Sequence, residues 1–175
     1  MADRRTWMLA GVGGLAAAAG VGLAWRRSAD GVARPGPAET ALWNAEFDTP
    51  SGQRLAMKSL QGRPLLLNFW ATWCPPCVEE FPLIDAFFKQ NSSKGWQVLG
   101  LAIDQPSAVR RFLEKIPVTF PIALAGLEGT ELSRTLGNLT GGLPFSLVIG
   151  SAGAILHRKM GKLQPAELAQ WTALS

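Results

Sequence analysis

The only two cysteines of this 175-residue chain, Cys74 and Cys77, lie where a predicted strand gives way to a predicted helix. The strand is the apolar run of residues 64–70, which suits a strand buried on both faces of a sheet. The helix is predicted to begin near Pro75–Pro76, since proline is tolerated in a first helical turn. Three-residue spacing on a helix places both sulfurs on one side, close enough to form a disulfide.

The position of the two cysteines at a helix start predicts their chemistry. Unpaired N–H groups and a partial positive charge at that end stabilise a thiolate, which is the reactive form of cysteine. Cys74 precedes the helix and is the expected exposed nucleophile. Cys77 is expected to be shielded and to resolve a mixed disulfide from within. Pro75 removes one backbone donor from the first turn, which would weaken this stabilisation.

Strand and helix patterns alternate along the rest of the chain, and a late hairpin follows. This order predicts an α/β layered domain. An early hairpin is expected over residues 47–55. Later strands are predicted at residues 95–103, 119–124, 145–149 and 154–157, and later helices at residues 107–115, 130–136 and 165–173.

The N-terminal segment predicts export. Residues 6–25 carry no charge and are enough to cross a bilayer core of about 30 Å as a helix. Arginine pairs lie on both sides of this stretch, at residues 4–5 and 26–27. They favour a membrane segment over a buried helix of a soluble domain. An uncleaved anchor and a cleaved signal of general or twin-arginine type both stay open.

Three segments follow from these patterns. Residues 1–27 are assigned as a signal or membrane anchor, and residues 42–175 as the folded domain. Residues 28–41 between them are small, polar and rich in Pro and Gly, so we expect a flexible linker.

Charge and composition exclude two classes of function. The net charge is +4, but residues 35–175 hold twelve Lys and Arg against eleven Asp and Glu, so the excess belongs to the N-terminal segment. The domain therefore has no nucleic-acid footprint. Two cysteines and one histidine, His157, cannot supply the about four ligands of a structural zinc site. We expect no metal and no cofactor.

Residues 65–82, which read LLLNFWATWCPPCVEEFP, resemble the active-site region of the TlpA/ResA family of membrane-tethered thioredoxin-like proteins. The resemblance extends over most of residues 45–172. Residues 104–136 resemble the family's central insertion, and Gly142-Leu143-Pro144 resembles the loop whose proline is cis and faces the cysteines. The resemblance implies a thioredoxin-like sheet flanked by helices, with an N-terminal hairpin and a central insertion.

The resemblance also implies a function. It implies a thiol–disulfide oxidoreductase, periplasmic or otherwise extracytoplasmic, that is anchored in the inner membrane and reduces disulfides. Electrons would come from a DsbD- or CcdA-like membrane donor and pass to oxidised proteins, such as apocytochrome c in cytochrome c biogenesis or copper-centre assembly factors. The domain is expected to be monomeric. Partner contacts are expected at Trp73, Pro75, Pro76, Leu143 and Pro144.

One position departs from the cytoplasmic thioredoxin pattern, which has a buried Asp where this chain has Asn68. In ResA-like members a Glu three residues after the second cysteine takes over its role, and Glu80 matches that position. An acid one helical turn from Cys77 can deprotonate it if burial raises the acid's pKa. The alternative is that Glu79 and Glu80 are solvated acids that stabilise the helix start.

Three functions stay open from the sequence alone. A disulfide reductase is preferred. An oxidase or isomerase on the same fold differs only in reduction potential, which the sequence does not give. A Cu(I)-binding module would use the two sulfurs as soft ligands, but no Met- or His-rich cluster accompanies them.

Overall fold

The structure is a computed structural model that describes residues 34–172. Segment 1–27 and residues 28–33 of the predicted linker lie outside this range and stay predictions. Within the described range, no helix is long and apolar enough to span a membrane.

Seven strands and five α-helices make up this part of the chain, together with two short 3₁₀-helices, Met57–Leu60 and Ser92–Lys94. The strands are β1 (Glu46–Asp48), β2 (Arg54–Ala56), β3 (Leu65–Trp70), β4 (Gln97–Ala102), β5 (Ile122–Leu124), β6 (Phe145–Ile149) and β7 (Ile155–Met160). The helices are α1 (Pro37–Asn44), α2 (Pro75–Asn91), α3 (Pro106–Lys115), α4 (Gly129–Thr135) and α5 (Pro165–Thr172).

The strands form one mixed sheet in the order β2-β1-β5-β4-β3-β6-β7. Strand β3 lies inside it, parallel to β4 and antiparallel to β6, and all six of its residues are buried. This is the strand predicted from the apolar run, and it ends four residues before Cys74.

Side chains of β3 alternate between two cores, as the pleat of a strand requires. Leu66 and Trp70 pack with residues of α2, α3 and α5. Leu67 and Phe69 pack on the opposite face with residues of α1 and α4. The two layers of helices confirm the α/β architecture and place α2, with both cysteines, on the first of these faces.

Helix α1 corrects the predicted linker, because residues 37–41 are helical. Its last turn contains two buried residues, Leu42 and Trp43, and the indole N–H of Trp43 donates to the carbonyl of Gly153 at 2.8 Å. At its start, Glu39 Oε2 accepts from the Gly36 N–H at 3.1 Å. The composition of residues 28–41 predicts a linker, but burial of the next two residues, Leu42 and Trp43, orders the end of this segment as a helix.

The loop before β6 contains the cis peptide bond that the resemblance implies, between Leu143 and Pro144. Pro144 is buried, and its carbonyl accepts from the Gly161 N–H at 2.9 Å. The segment after β7 is thereby attached to this loop.

Candidate functional site

Cys74 and Cys77 form a disulfide at the first turn of α2, with their Cα atoms 5.3 Å apart. Cys74 is the N-cap residue, and its carbonyl accepts from the N–H groups of Cys77 and Val78. Cys77 is fully buried, whereas Cys74 keeps 4% of its surface exposed. Cys77 is shielded as predicted, but Cys74 is also buried in the disulfide form, so its predicted exposure is wrong for this state.

The residues next to the disulfide differ in exposure. Trp73 is 66% exposed, Pro75 is exposed and Pro76 is half-buried. Both prolines lie in the first helical turn, where a missing N–H costs no helical hydrogen bond. Leu143 packs against the same apolar cluster that contains both cysteines, so the cis-proline loop and the disulfide share one core.

Glu80 is fully buried on α2, one helical turn after Cys77. Its Oε1 accepts from Asn68 Nδ2 at 2.7 Å, and its Oε2 accepts from the Leu163 N–H at 2.8 Å. Burial raises the pKa of Glu80, while these two donors and the charge of Lys162 oppose that rise. Glu80 is thus a buried carboxyl with a raised pKa, as its proposed role requires, and the alternative of a solvated helix-start acid is wrong for it.

Glu79, the neighbouring acid, is exposed and pairs with Lys162 Nζ at 2.8 Å. It fits the description of a solvated acid near the start of α2. The two adjacent glutamates therefore differ in environment, because successive helical positions point about 100° apart.

Asn68 connects Glu80 to the sheet. Its Nδ2 also donates to Ser146 Oγ at 2.9 Å, and its Oδ1 accepts no hydrogen bond within the described structure. Ser146 lies directly opposite Asn68 in the β3–β6 register. Sequence reasoning missed Ser146 and the Leu163 N–H, because the first requires the strand pairing and the second is a backbone group.

Asn68 suits a carboxyl that changes its protonation state. An amide presents a donor to a carboxylate, and after a half-turn of its side chain it presents an acceptor to a carboxylic acid. The Ser146 hydroxyl can follow, since it can donate as well as accept. The cluster of Asn68, Ser146 and Glu80 can therefore satisfy Glu80 in both states.

Comparison with known proteins gives a consistent result. The redoxin family model matches residues 37–172. The thiol-disulfide oxidoreductase ResA of a Bacillus cereus strain is 30% identical over 118 residues, which cover 67% of this chain and 66% of ResA, just under two thirds of its length. The sporulation thiol-disulfide oxidoreductase A of Bacillus subtilis (strain 168) is 27% identical over 86% of this chain and 89% of its own length.

Solved structures agree with these relatives. A putative thiol:disulfide interchange protein DsbE from Chlorobium tepidum superposes with a TM-score of 0.65 at 25% identity, over 74% of this chain and 91% of that one. StoA from Bacillus subtilis gives a TM-score of 0.60 at 25% identity, over 73% and 95% of the two chains. The fold is the thioredoxin-like fold that the resemblance implied.

Proposed function

Because the chain belongs to the redoxin family, as a TlpA/ResA-like member, we propose that it is an extracytoplasmic thiol–disulfide oxidoreductase that reduces disulfides in partner proteins. One observation carries the proposal. The two cysteines lie at the start of α2, and a buried carboxyl, Glu80, follows one helical turn after Cys77.

The reaction uses the cysteine pair as a two-electron donor. The Cys74 thiolate attacks one sulfur of the partner's disulfide, so that an intermolecular S–S bond forms and the partner's other sulfur leaves as a thiolate. The Cys77 thiolate then attacks Cys74 Sγ, which closes the disulfide seen in the structure and releases the second partner thiolate. The partner gains two electrons and takes up two protons.

Glu80 is the proton acceptor for Cys77 in this scheme. A shielded thiol ionises poorly, and a base one helical turn away on the same helix would remove that obstacle. The raised pKa of Glu80 brings it closer to the pKa of a thiol, which makes the transfer easier. Asn68 stabilises the carboxylate before the transfer and can rotate to accept from the acid after it.

Partner docking is proposed at the surface around Cys74. Trp73 and Pro75 are exposed beside it, and Pro76 and Leu143 are half-buried. Pro144 contributes to the same site through its loop, although it is itself buried. An exposed tryptophan is a residue type that protein interfaces use as an anchor.

The setting of the reaction is proposed as follows. Residues 1–27 direct export, and residues 6–25 hold the protein in the inner membrane if they are not cleaved. A DsbD- or CcdA-like membrane protein supplies electrons, and oxidised proteins such as apocytochrome c or a copper-centre assembly factor receive them. The resemblance of residues 65–82 to the TlpA/ResA active-site region and the uncharged stretch of residues 6–25 support this setting.

Two cysteine variants test the reaction. Cys74→Ser is expected to abolish reduction of insulin disulfides, because it removes the attacking sulfur. Cys77→Ser is expected to accumulate a mixed disulfide with insulin through Cys74, detectable by mass spectrometry. A partner trapped on Cys77 in Cys74→Ser would reverse the two roles.

The reduction potential tests the direction of the reaction. Equilibration with glutathione is expected to give a value near the roughly −270 mV of thioredoxin. A value near the roughly −120 mV of DsbA would instead assign an oxidase. Binding of Cu(I) to the reduced protein without turnover of insulin would assign the copper-binding alternative.

A further inference from the structure

Asp104 follows β4 and is 6% exposed, immediately before the N-cap of α3 at Gln105. Its Oδ2 accepts from both the N–H of Thr72, at 2.9 Å, and the Thr72 hydroxyl, at 2.6 Å. Its Oδ1 accepts from the Gln105 N–H at 2.6 Å. One nearly buried carboxylate therefore joins the end of β4 to the segment that precedes the disulfide.

Thr72 belongs to a tight turn that delivers Cys74 to α2. The Cys74 N–H donates to the carbonyl of Ala71 at 3.2 Å, which makes Thr72 and Trp73 the two central residues of this turn. Asp104 holds one of them. The other, Trp73, is 66% exposed, so the direction of its side chain depends mainly on the backbone of the turn.

We propose that Asp104 is a positioning residue that holds this turn so that Trp73 is presented to a docking protein partner. The inference rests on the proposed function, since it requires a protein substrate. A carboxylate suits this role because it accepts all three hydrogen bonds. An asparagine amide would turn two N–H donors toward some of the same donor groups.

The test measures single-turnover reduction of two disulfides by the reduced full-length protein in detergent. Insulin is the protein substrate, and 5,5′-dithiobis(2-nitrobenzoate) is the small one, which does not need a docking surface. In Asp104→Asn, the insulin concentration that gives half the limiting rate should rise roughly fivefold, because a misplaced aromatic anchor weakens binding. The limiting rate and the reaction with the small disulfide should stay at wild-type values.

Two substitutions of Thr72 provide matched controls. Thr72→Ser keeps both donors to Asp104 and should behave as wild type. Thr72→Val removes only the hydroxyl donor and should raise the half-saturating insulin concentration by less than Asp104→Asn does. Thr72→Val also keeps the proposal testable if Asp104→Asn does not fold, and an unchanged value in Thr72→Val would then overturn it.

A double-mutant cycle with Trp73→Ala separates positioning from a general structural effect. If Asp104 acts through Trp73, Asp104→Asn should have no further effect on insulin half-saturation once the indole is gone. The same fold-change in both backgrounds would overturn the inference, as would an equal loss with the small disulfide. Failure of the wild-type protein to reduce either disulfide would instead overturn the proposed function.

Discussion

Glu80 is the residue at which the cost of burying a charge conflicts most directly with the proposed chemistry, which needs an ionised carboxylate. Ionised Glu80 is desolvated, and its three hydrogen-bonding and charged partners compensate only in part, so its pKa in the folded protein is raised. A raised pKa means that the folded state binds this proton more tightly than the unfolded state does. The stability linked to Glu80 is therefore complete below the unfolded pKa of about 4.3 and is lost as the pH rises through the folded pKa.

Glu80→Gln is expected to slow resolution of the mixed disulfide by about 100-fold, the loss typical of a missing proton acceptor, with the fold intact. It should also change the pH dependence of cysteine alkylation over the whole curve, because a carboxyl and two thiols that interact lose their protons as one set. Urea unfolding should show the variant gaining stability relative to wild type between pH 4 and pH 8. Glu79→Gln, exposed and adjacent, is the matched control, and equal effects in the two variants would remove the role of Glu80.

Asn68→Asp is expected to destabilise the folded state by about 1–3 kcal/mol at pH 8 and by little at pH 4. It places a second carboxyl where Asn68 Nδ2 now lies, 2.7 Å from Glu80 Oε1. Two carboxylates this close share one proton, so the folded state retains a proton that the unfolded state releases, and stability falls as the pH rises.

Urea unfolding at the two pH values measures this effect of Asn68→Asp. The control is the same substitution in a Glu80→Gln background, where the added pH dependence should shrink to that of a single buried carboxyl. A pH dependence that is unchanged by Glu80→Gln would show that the new carboxyl does not interact with Glu80.

At the scale of the elements, the periodicity of apolar residues and the positions of proline and glycine were enough to predict most of the secondary structure. All the predicted strands and helices are present in the structure. They could be predicted because their signals are local: the apolar run of β3, the prolines that start α2 and the glycine-containing turns. Helix α1 was missed because its first residues resemble a linker and its order depends on contacts with residues more than 100 positions away.

The candidate site divides in the same way. Cys77 and Glu80 lie on α2 and Cys74 is its N-cap, so their spacing alone predicted that they are close together. Ser146 and the Leu163 N–H come from distant parts of the chain, and no local pattern marks them. Ser146, which accepts from Asn68, therefore became visible only with the strand register, and the Leu163 N–H only with the path of the segment after β7.

Helix α1 makes a testable contribution to stability. Trp43→Ala is expected to lower the free energy of unfolding by about 3–5 kcal/mol, because it empties a buried site. Trp43→Phe should cost about 1 kcal/mol, because it mainly leaves the Gly153 carbonyl without its donor. Urea unfolding of the oxidised protein measures both, and Trp73→Ala, at an exposed tryptophan, is the control. Equal costs at the two tryptophans would show that α1 is not part of the folded core.

At the scale of the whole molecule, the excess positive charge lies in residues 1–34, and residues 35–175 are nearly neutral. The family model begins at residue 37 and the described structure at residue 34, so neither of them tests the first segment. The redox proposal nevertheless depends on it, because disulfides persist as substrates mainly in oxidising compartments.

A reporter enzyme that is active only in the periplasm should be active when fused after residue 33. The reason is the uncharged stretch of residues 6–25 between two arginine pairs. A fusion that lacks residues 1–27 is the control and should be silent. Silence of both fusions would contradict export, and N-terminal sequencing of the mature protein would show whether the segment is cleaved.

The segment after β7 has a consequence for how this protein can be observed in solution. Its Gly161 N–H is bonded to the carbonyl of Pro144, and its Leu163 N–H, two residues later, is bonded to Glu80. Two neighbouring amides thus report separately on the cis-proline loop and on the buried carboxyl. In an NMR titration, the Leu163 amide resonance should follow the charge of Glu80, whereas deuterium exchange at Gly161 should slow when a partner binds over the loop that contains Leu143 and Pro144. The two processes can therefore be followed separately in the unaltered protein, each at one backbone amide.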